Sequence, residues 1–124
     1  QLQFTKRPLD VPLLAELPQA LHKNAVDIFK VILNYILAPA GSKEPWADIQ
    51  EVLKRGILRP ELRDEIYNQV IKQTDNAPAE SVVRAWEWLA WCLGAFVPSA
   101  ELQPYLAVYL FSNAHRPDKP AVRQ

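Results

Sequence analysis

Leu62-Arg63-Asp64-Glu65-Ile66-Tyr67-Asn68-Gln69-Val70-Ile71-Lys72-Gln73-Thr74-Asp75-Asn76 is the stretch on which the fold turns. Pro60, just upstream, suits the first turn of a helix, where its missing N–H is no loss. On a helical projection Leu62 and Ile66 share a stripe at i, i+4, and the stripe continues to Gln69 and Gln73. Glu61, Glu65, Asn68 and Lys72 then define a polar, solvent-facing side. An apolar stripe carrying two long amides admits two readings: the glutamines are buried and bonded, or they line a site. Asn76-Ala77-Pro78 ends the helix.

Downstream, residues 79–97 are apolar nearly all round, as befits a helix in the middle of a domain. Val82, Trp86, Leu89, Leu93 and Phe96 form its expected core stripe, with Trp88 and Trp91 on another side. Pro98-Ser99 stops it, and Ser99 is a suitable N-cap for a last helix carrying Leu102, Leu106, Tyr109 and Leu110. The tail from Ala114 to Gln124 reads as linker. Upstream, Pro45 opens a short helix through Trp46, Ile49, Val52 and Leu53, with Gly56 placed to end it. Leu21, Ala25, Ile28, Ile32 and Ile36 give another helix, begun at Pro18 and finished before Pro39. Residues 1–17 read as an extended arm. No strand pattern emerges. The expected fold is all-α: a compact bundle of four to six helices around the Trp-rich helix 79–97, filling residues 1–113, with 114–124 a C-terminal linker.

The composition narrows function. The chain has 124 residues, the size of one domain, and about half are apolar. Fourteen basic residues balance fourteen acidic ones, so the excess of positive charge that nucleic acid demands is missing. No apolar run is long enough to span a membrane. The chain lacks Met and begins at Gln1, which suggests a piece of a longer protein. Cys92, the one cysteine, sits in the apolar run Trp91-Cys92-Leu93 and reads as a core thiol in a reducing compartment.

No catalytic constellation is legible. His22 and His115 stand far apart, and no cluster has metal-ligand spacing. The three glycines are isolated and form no phosphate-cradling loop. Asp64 and Glu65 are adjacent on a helix and point about 100° apart. The expectation is therefore a non-enzyme without cofactor or metal. Trp46, Trp86, Trp88 and Trp91 suit either a core or an aromatic cage; helical spacing favours the core for three of them, with at most one emerging at the surface beside Arg84. Lys54, Arg55, Arg59 and Arg63 suit either a patch for an acidic partner or helix-end complementation and local pairing. Lys23 and Lys30 are available on another helix.

The Leu62–Asn76 pattern closely resembles the signature of the myosin tail homology 4 domain. Arg84-Ala85-Trp86-Glu87-Trp88-Leu89, then Phe96-Val97-Pro98-Ser99 with Tyr105-Leu106, resemble further blocks of that family, and Phe4–Leu14 resembles its N-terminal arm. The likeness runs over about residues 2–113. Ala85 departs from the family's usual Gly, and Tyr35-Ile36-Leu37-Ala38 replaces a common turn. The resemblance implies a helical, non-catalytic module of unconventional myosins, a plant kinesin and some Rho GTPase-activating proteins. Such a module acts in cargo or microtubule binding, often beside a FERM domain.

Two expectations follow. One is a cytoplasmic, cytoskeleton-associated interaction module that meets acidic partners such as microtubules through Lys54, Arg55, Arg59, Lys23 and Lys30. The alternative is a scaffold packed on a neighbouring domain in a Rho GTPase-activating protein. Arg63, Asp64, Gln69, Gln73 and Trp86 are assigned structural roles, the polar ones bonding backbone groups that helix ends and turns leave unsatisfied.

Overall fold

A computed structural model describes residues 3–114. Among these, a 3₁₀ turn (Gln19–Leu21) leads into five α-helices: α1 (His22–Leu37), α2 (Trp46–Leu58), α3 (Pro60–Thr74), α4 (Ala79–Ala95) and α5 (Leu102–Ala114). No strand occurs among them. The all-α expectation holds. Residues 3–17 form the arm; of residues 114–124, read as linker from sequence, Ala114 instead closes α5, and 115–124 lie outside the described residues.

Helices α1, α2 and α4 each pack against α3, and α1 and α2 also pack against α4. The core between them holds Ile28, Ile32, Ile49, Leu62, Ile66, Val70, Trp88, Leu89 and Cys92. Each such large apolar side chain taken from water contributes roughly 1.5–3 kcal/mol before entropy is counted. The helix boundaries follow local chemistry. Pro60 takes the first position of α3, where no donor is needed. Asn76, at φ 57, makes the left-handed turn after α3 that asparagine tolerates better than most residues. Ser99 Oγ accepts the Leu102 N–H at 3.2 Å at the start of α5.

Three expectations need correcting. Gly56 does not end α2, which continues to Leu58. It lies inside the helix because the Phe96 ring occupies the space a side chain would need: a Cβ there would stand 2.2 Å from Phe96 Cε2. Second, the buried face of α4 is Ser81, Ala85, Trp86, Trp88, Leu89 and Cys92, so Trp86 and Leu89 of the expected stripe are inside while Leu93 is 44% exposed. A helix apolar on every side carries little phase information, so neighbours choose the face. Ala85 is fully buried there. Third, Glu65 is not solvent-facing but completely buried, because the arm crosses that side of α3.

The arm is held by α3 side chains rather than by a backbone ladder. Glu65 accepts the Leu13 and Leu14 N–H groups, both at 2.8 Å. Gln73 accepts the Thr5 N–H at 3.1 Å and donates to the Thr5 carbonyl at 2.9 Å. The Asp75 carbonyl accepts the Phe4 N–H at 3.1 Å, and the Lys72 ammonium donates to the Gln3 carbonyl. Partial burial lowers the pKa of Lys72.

Candidate interaction surfaces at the two ends of the bundle

One end gathers the start of α1, the end of α2 and the start of α3. Arg63 binds back onto α2: Nε donates to the Gly56 carbonyl at 2.7 Å and Nη2 to the Ile57 carbonyl at 2.8 Å. These are last-turn acceptors that a helix leaves orphaned, so Arg63 is a cap and not a free cation. Arg55 lies 3.3 Å from Glu51 and donates to Asn24 Oδ1 of α1 at 3.1 Å. That bond brings the start of α1, with Lys23, beside the end of α2. Lys23 pairs with Asp27 at 3.2 Å on an exposed surface. Lys54 and Arg59 are exposed and have no ion pair among the described residues. Lys30 is exposed two turns along α1 from Lys23, about 10 Å by helical rise. Lys23 therefore lies next to the Arg55–Asn24 contact, Lys54 and Arg59 are exposed on α2 and its C-cap, and Lys30 lies farther along α1.

The residues of the opening stretch have definite partners. Asp64 Oδ1 accepts the Ser99 N–H at 2.8 Å and its other oxygen accepts the Ser99 hydroxyl. This pair ties α3 to the α4–α5 turn. Gln69 Nε2 donates to the Ala25 carbonyl of α1 and to Glu65 Oε2, both at 2.9 Å. Gln69 Oε1 and the Trp86 and Trp88 indole nitrogens are buried without a partner among the described residues. Trp86 stacks on Tyr109 of α5 with centroids 5.9 Å apart. Glu65 was missed from sequence. Hydropathy period cannot separate a wet carboxylate from one buried under a distant segment.

The other end joins the end of α1 to the start of α4. Arg84 Nη1 donates to the Tyr35 and Ala38 carbonyls at 2.9 and 3.3 Å, and its guanidinium lies 4.8 Å from the Tyr35 ring centre. The Tyr35 hydroxyl donates to Glu87 at 2.6 Å. Burial, then the bond to Glu87 and the charges of Glu87 and Glu44, push this phenol up to about 12 against the opposing pull of Arg84. An open cleft of about 560 Å³ lies here, lined by Tyr35, Leu37, Glu44, Ser81, Arg84 and Glu87 among others. Burial pushes the Cys92 thiol, deep in the core, up to about 12, which leaves it inert near neutral pH.

No group of three or more metal-ligating side chains occurs among the described residues, and none of their helices is long and apolar enough to cross a membrane. The MyTH4 domain profile matches residues 49–124. The chain belongs to the MyTH4 domain family. It is 35% identical over 109 residues to the high molecular weight form of myosin-1 of Acanthamoeba castellanii, covering 87% of this chain and 7% of that protein. It is 34% identical over 119 residues to kinesin-like protein KIN-14I of Oryza sativa subsp. japonica, covering 92% of this chain and 10% of that one. The MyTH4-FERM MF1 domain of Dictyostelium discoideum myosin VII superposes with a TM-score of 0.88 at 26% identity, over 98% of this chain and 27% of that one. The human myosin 7b C-terminal MyTH4-FERM domain, solved in complex with the harmonin-a PDZ3 domain, gives 0.83 at 26% identity, over 97% and 26%. The chain therefore spans a tenth or less of these curated relatives and about a quarter of these solved structures. It is a non-catalytic interaction module of a family found in myosins and kinesins.

Proposed function

We propose that the basic end docks an acidic protein partner, with microtubules as the partner of first choice. The observation that carries this reading is the exposure of Lys54 and Arg59, unpaired among the described residues, beside Arg55 and Lys23. Lys23 is available too: an exposed pair such as Lys23–Asp27 is worth only about 0.2–1 kcal/mol and exchanges readily for a better partner. Lys30 extends the same charge along α1. Acidic tubulin tails offer the complement, and relatives among myosins and a kinesin-like protein put cytoskeletal partners in reach. The reading makes the protein cytoplasmic and cytoskeleton-associated. Contacts of this kind weaken as salt rises, since charges are screened within about 10 Å at 0.1 M.

Cosedimentation with microtubules over a salt series tests it. The expected result is pelleting that falls with salt and is lost in Lys54→Glu, Arg59→Glu. Arg55 stays untouched because it also braces α1. Pelleting that ignores the charge reversal would overturn the reading.

A second reading, packing on a neighbouring domain, is favoured by α5. Tyr105 and Val108 on its outer side are 50% and 65% exposed, and apolar faces of this kind mark docking surfaces. The FERM portion present in the solved relatives makes a FERM domain the neighbour to test first.

A further inference from the structure

The cleft between the end of α1 and the start of α4 has no part in the basic-end reading, yet its chemistry is specific. Glu44, Glu80 and Glu87 line it. None of the three has a cation within ion-pair distance among the described residues. Arg84 and Lys6 also line it, but Arg84 is engaged: it caps the last carbonyls of α1 and lies over Tyr35. The negative end of the α1 dipole adds to the acidic balance. Ser81 supplies an independent sign of a missing partner. It is only 2% exposed and lines the cleft, and its hydroxyl has no hydrogen bond to any described group. The hydroxyl is thus left to the cleft, where solvent or a ligand can meet it. Leu37 and Val83 provide an apolar wall, and Tyr35 leads to the half-exposed pair Trp91 and Trp46, whose rings are 5.2 Å apart.

We propose that this cleft binds a peptide segment of a partner protein, taking a lysine or arginine side chain between Glu44 and Glu87 and an adjacent apolar side chain against Leu37 and Val83. Ser81 then bonds the partner's backbone. The carboxylates give the cation charge-assisted bonds. The domain is thus two-ended, with acidic partners at one end and basic segments at the other. The inference stands independently of the microtubule reading.

The test is NMR titration of the labelled chain with two hexapeptides. One alternates leucine and arginine; the other carries citrulline, which keeps the shape and removes the charge. The expected result is saturable shifts at Ser81, Arg84, Glu87 and the Trp91 indole, with the citrulline peptide binding about tenfold more weakly. Glu44→Gln, Glu87→Gln should also weaken binding about tenfold while leaving microtubule pelleting unchanged. A glutamine at 87 can still accept from Tyr35, so the fold has no reason to change. If the double variant nonetheless fails to fold, Glu80→Gln at an exposed, unbonded position carries the test with about a threefold loss. Equal binding of both peptides, shifts centred on Lys54 and Arg59, or no saturable shift would each overturn the proposal.

Discussion

Helices α3 and α5 invert the simplest expectation about hydropathy. Helix α3 is the most polar of the five α-helices described and α5 the most apolar. Yet α3 buries nine residues, four of them Glu65, Gln69, Gln73 and Thr74, while α5 buries only Leu106 and Asn113. The difference lies in partners. Every long polar side chain on the inner side of α3 meets backbone from another element: the arm, α1, or the α4–α5 turn. Satisfied polar groups can be buried at little net cost, and unsatisfied ones cost about 1–3 kcal/mol each. Helix α5 is anchored by Asp64 on Ser99, by Tyr109 stacked on Trp86, and by the Tyr109 hydroxyl 2.6 Å from Thr74 Oγ1. Its outer side faces solvent. A central polar helix therefore organises the domain, and a peripheral apolar one is left available.

The most direct way to break this contrast is Glu65→Ala. It removes the acceptor of two arm N–H groups and of Gln69. At ~1.5–3 kcal/mol per bond to a charged group, partly offset by water, the expected loss is about 4 kcal/mol. Chemical denaturation should show it, together with faster proteolysis near Val11. Unchanged stability would mean that the arm is not held by α3.

The α3–α4 contact can be probed by alkali. Burial raises the Tyr67 phenol and the neighbouring Cys92 thiol above their ordinary values, Cys92 from 9.0 to about 12. Both groups are held neutral in the folded protein. Unfolded, they lose their protons first, at lower pH. The stability this confers is full below pH 9 and is lost as pH climbs toward the folded values. The decline should be on the order of 3 kcal/mol between pH 9 and 11. A melting temperature that stays level across that window would contradict the burial argument.

Gln73→Leu should cost about 2 kcal/mol, since it strands both backbone groups of Thr5 while fitting the apolar surroundings. Partner binding per folded molecule should not change. Melting and pelleting measured on the same preparation separate the two, and an unaltered melting temperature would refute the structural role. At the small end stands Val108→Lys on α5. Its effect on stability should stay within about 0.5 kcal/mol. A larger loss would show that the outer side of α5 is not the free face it is taken for.

Much of this was legible from residue order. Pro45 and Pro60 marked helix starts, Pro18 marked the 3₁₀ turn that precedes α1, Asn76-Ala77-Pro78 marked the break after α3, and the spacing in 21–36 and 62–76 set two helices in place. The Arg84 and Ser99 blocks pointed to the same family as the opening stretch. Gly56 misled because a glycine that ends a helix and one that admits a ring look identical in one dimension; the Phe96 ring, forty residues later, decides. Leu93 misled because a uniformly apolar helix has no preferred face until neighbours are supplied. The basic residues could be counted but not sorted. Only contacts reveal that Arg63 caps α2, that Arg55 braces α1, and that Lys54 and Arg59 are left over.

What the sequence by itself determined was the all-helical class, the order of the helices, and the unusual polar character of α3, because proline positions and apolar period act through local backbone geometry and need no neighbours. What only the tertiary structure decided was which polar groups are sealed inside and which charges face outward at the two ends. A carboxylate such as Glu65 is stable in the interior only where distant N–H groups arrive to meet it, and their arrival is a property of the packed chain.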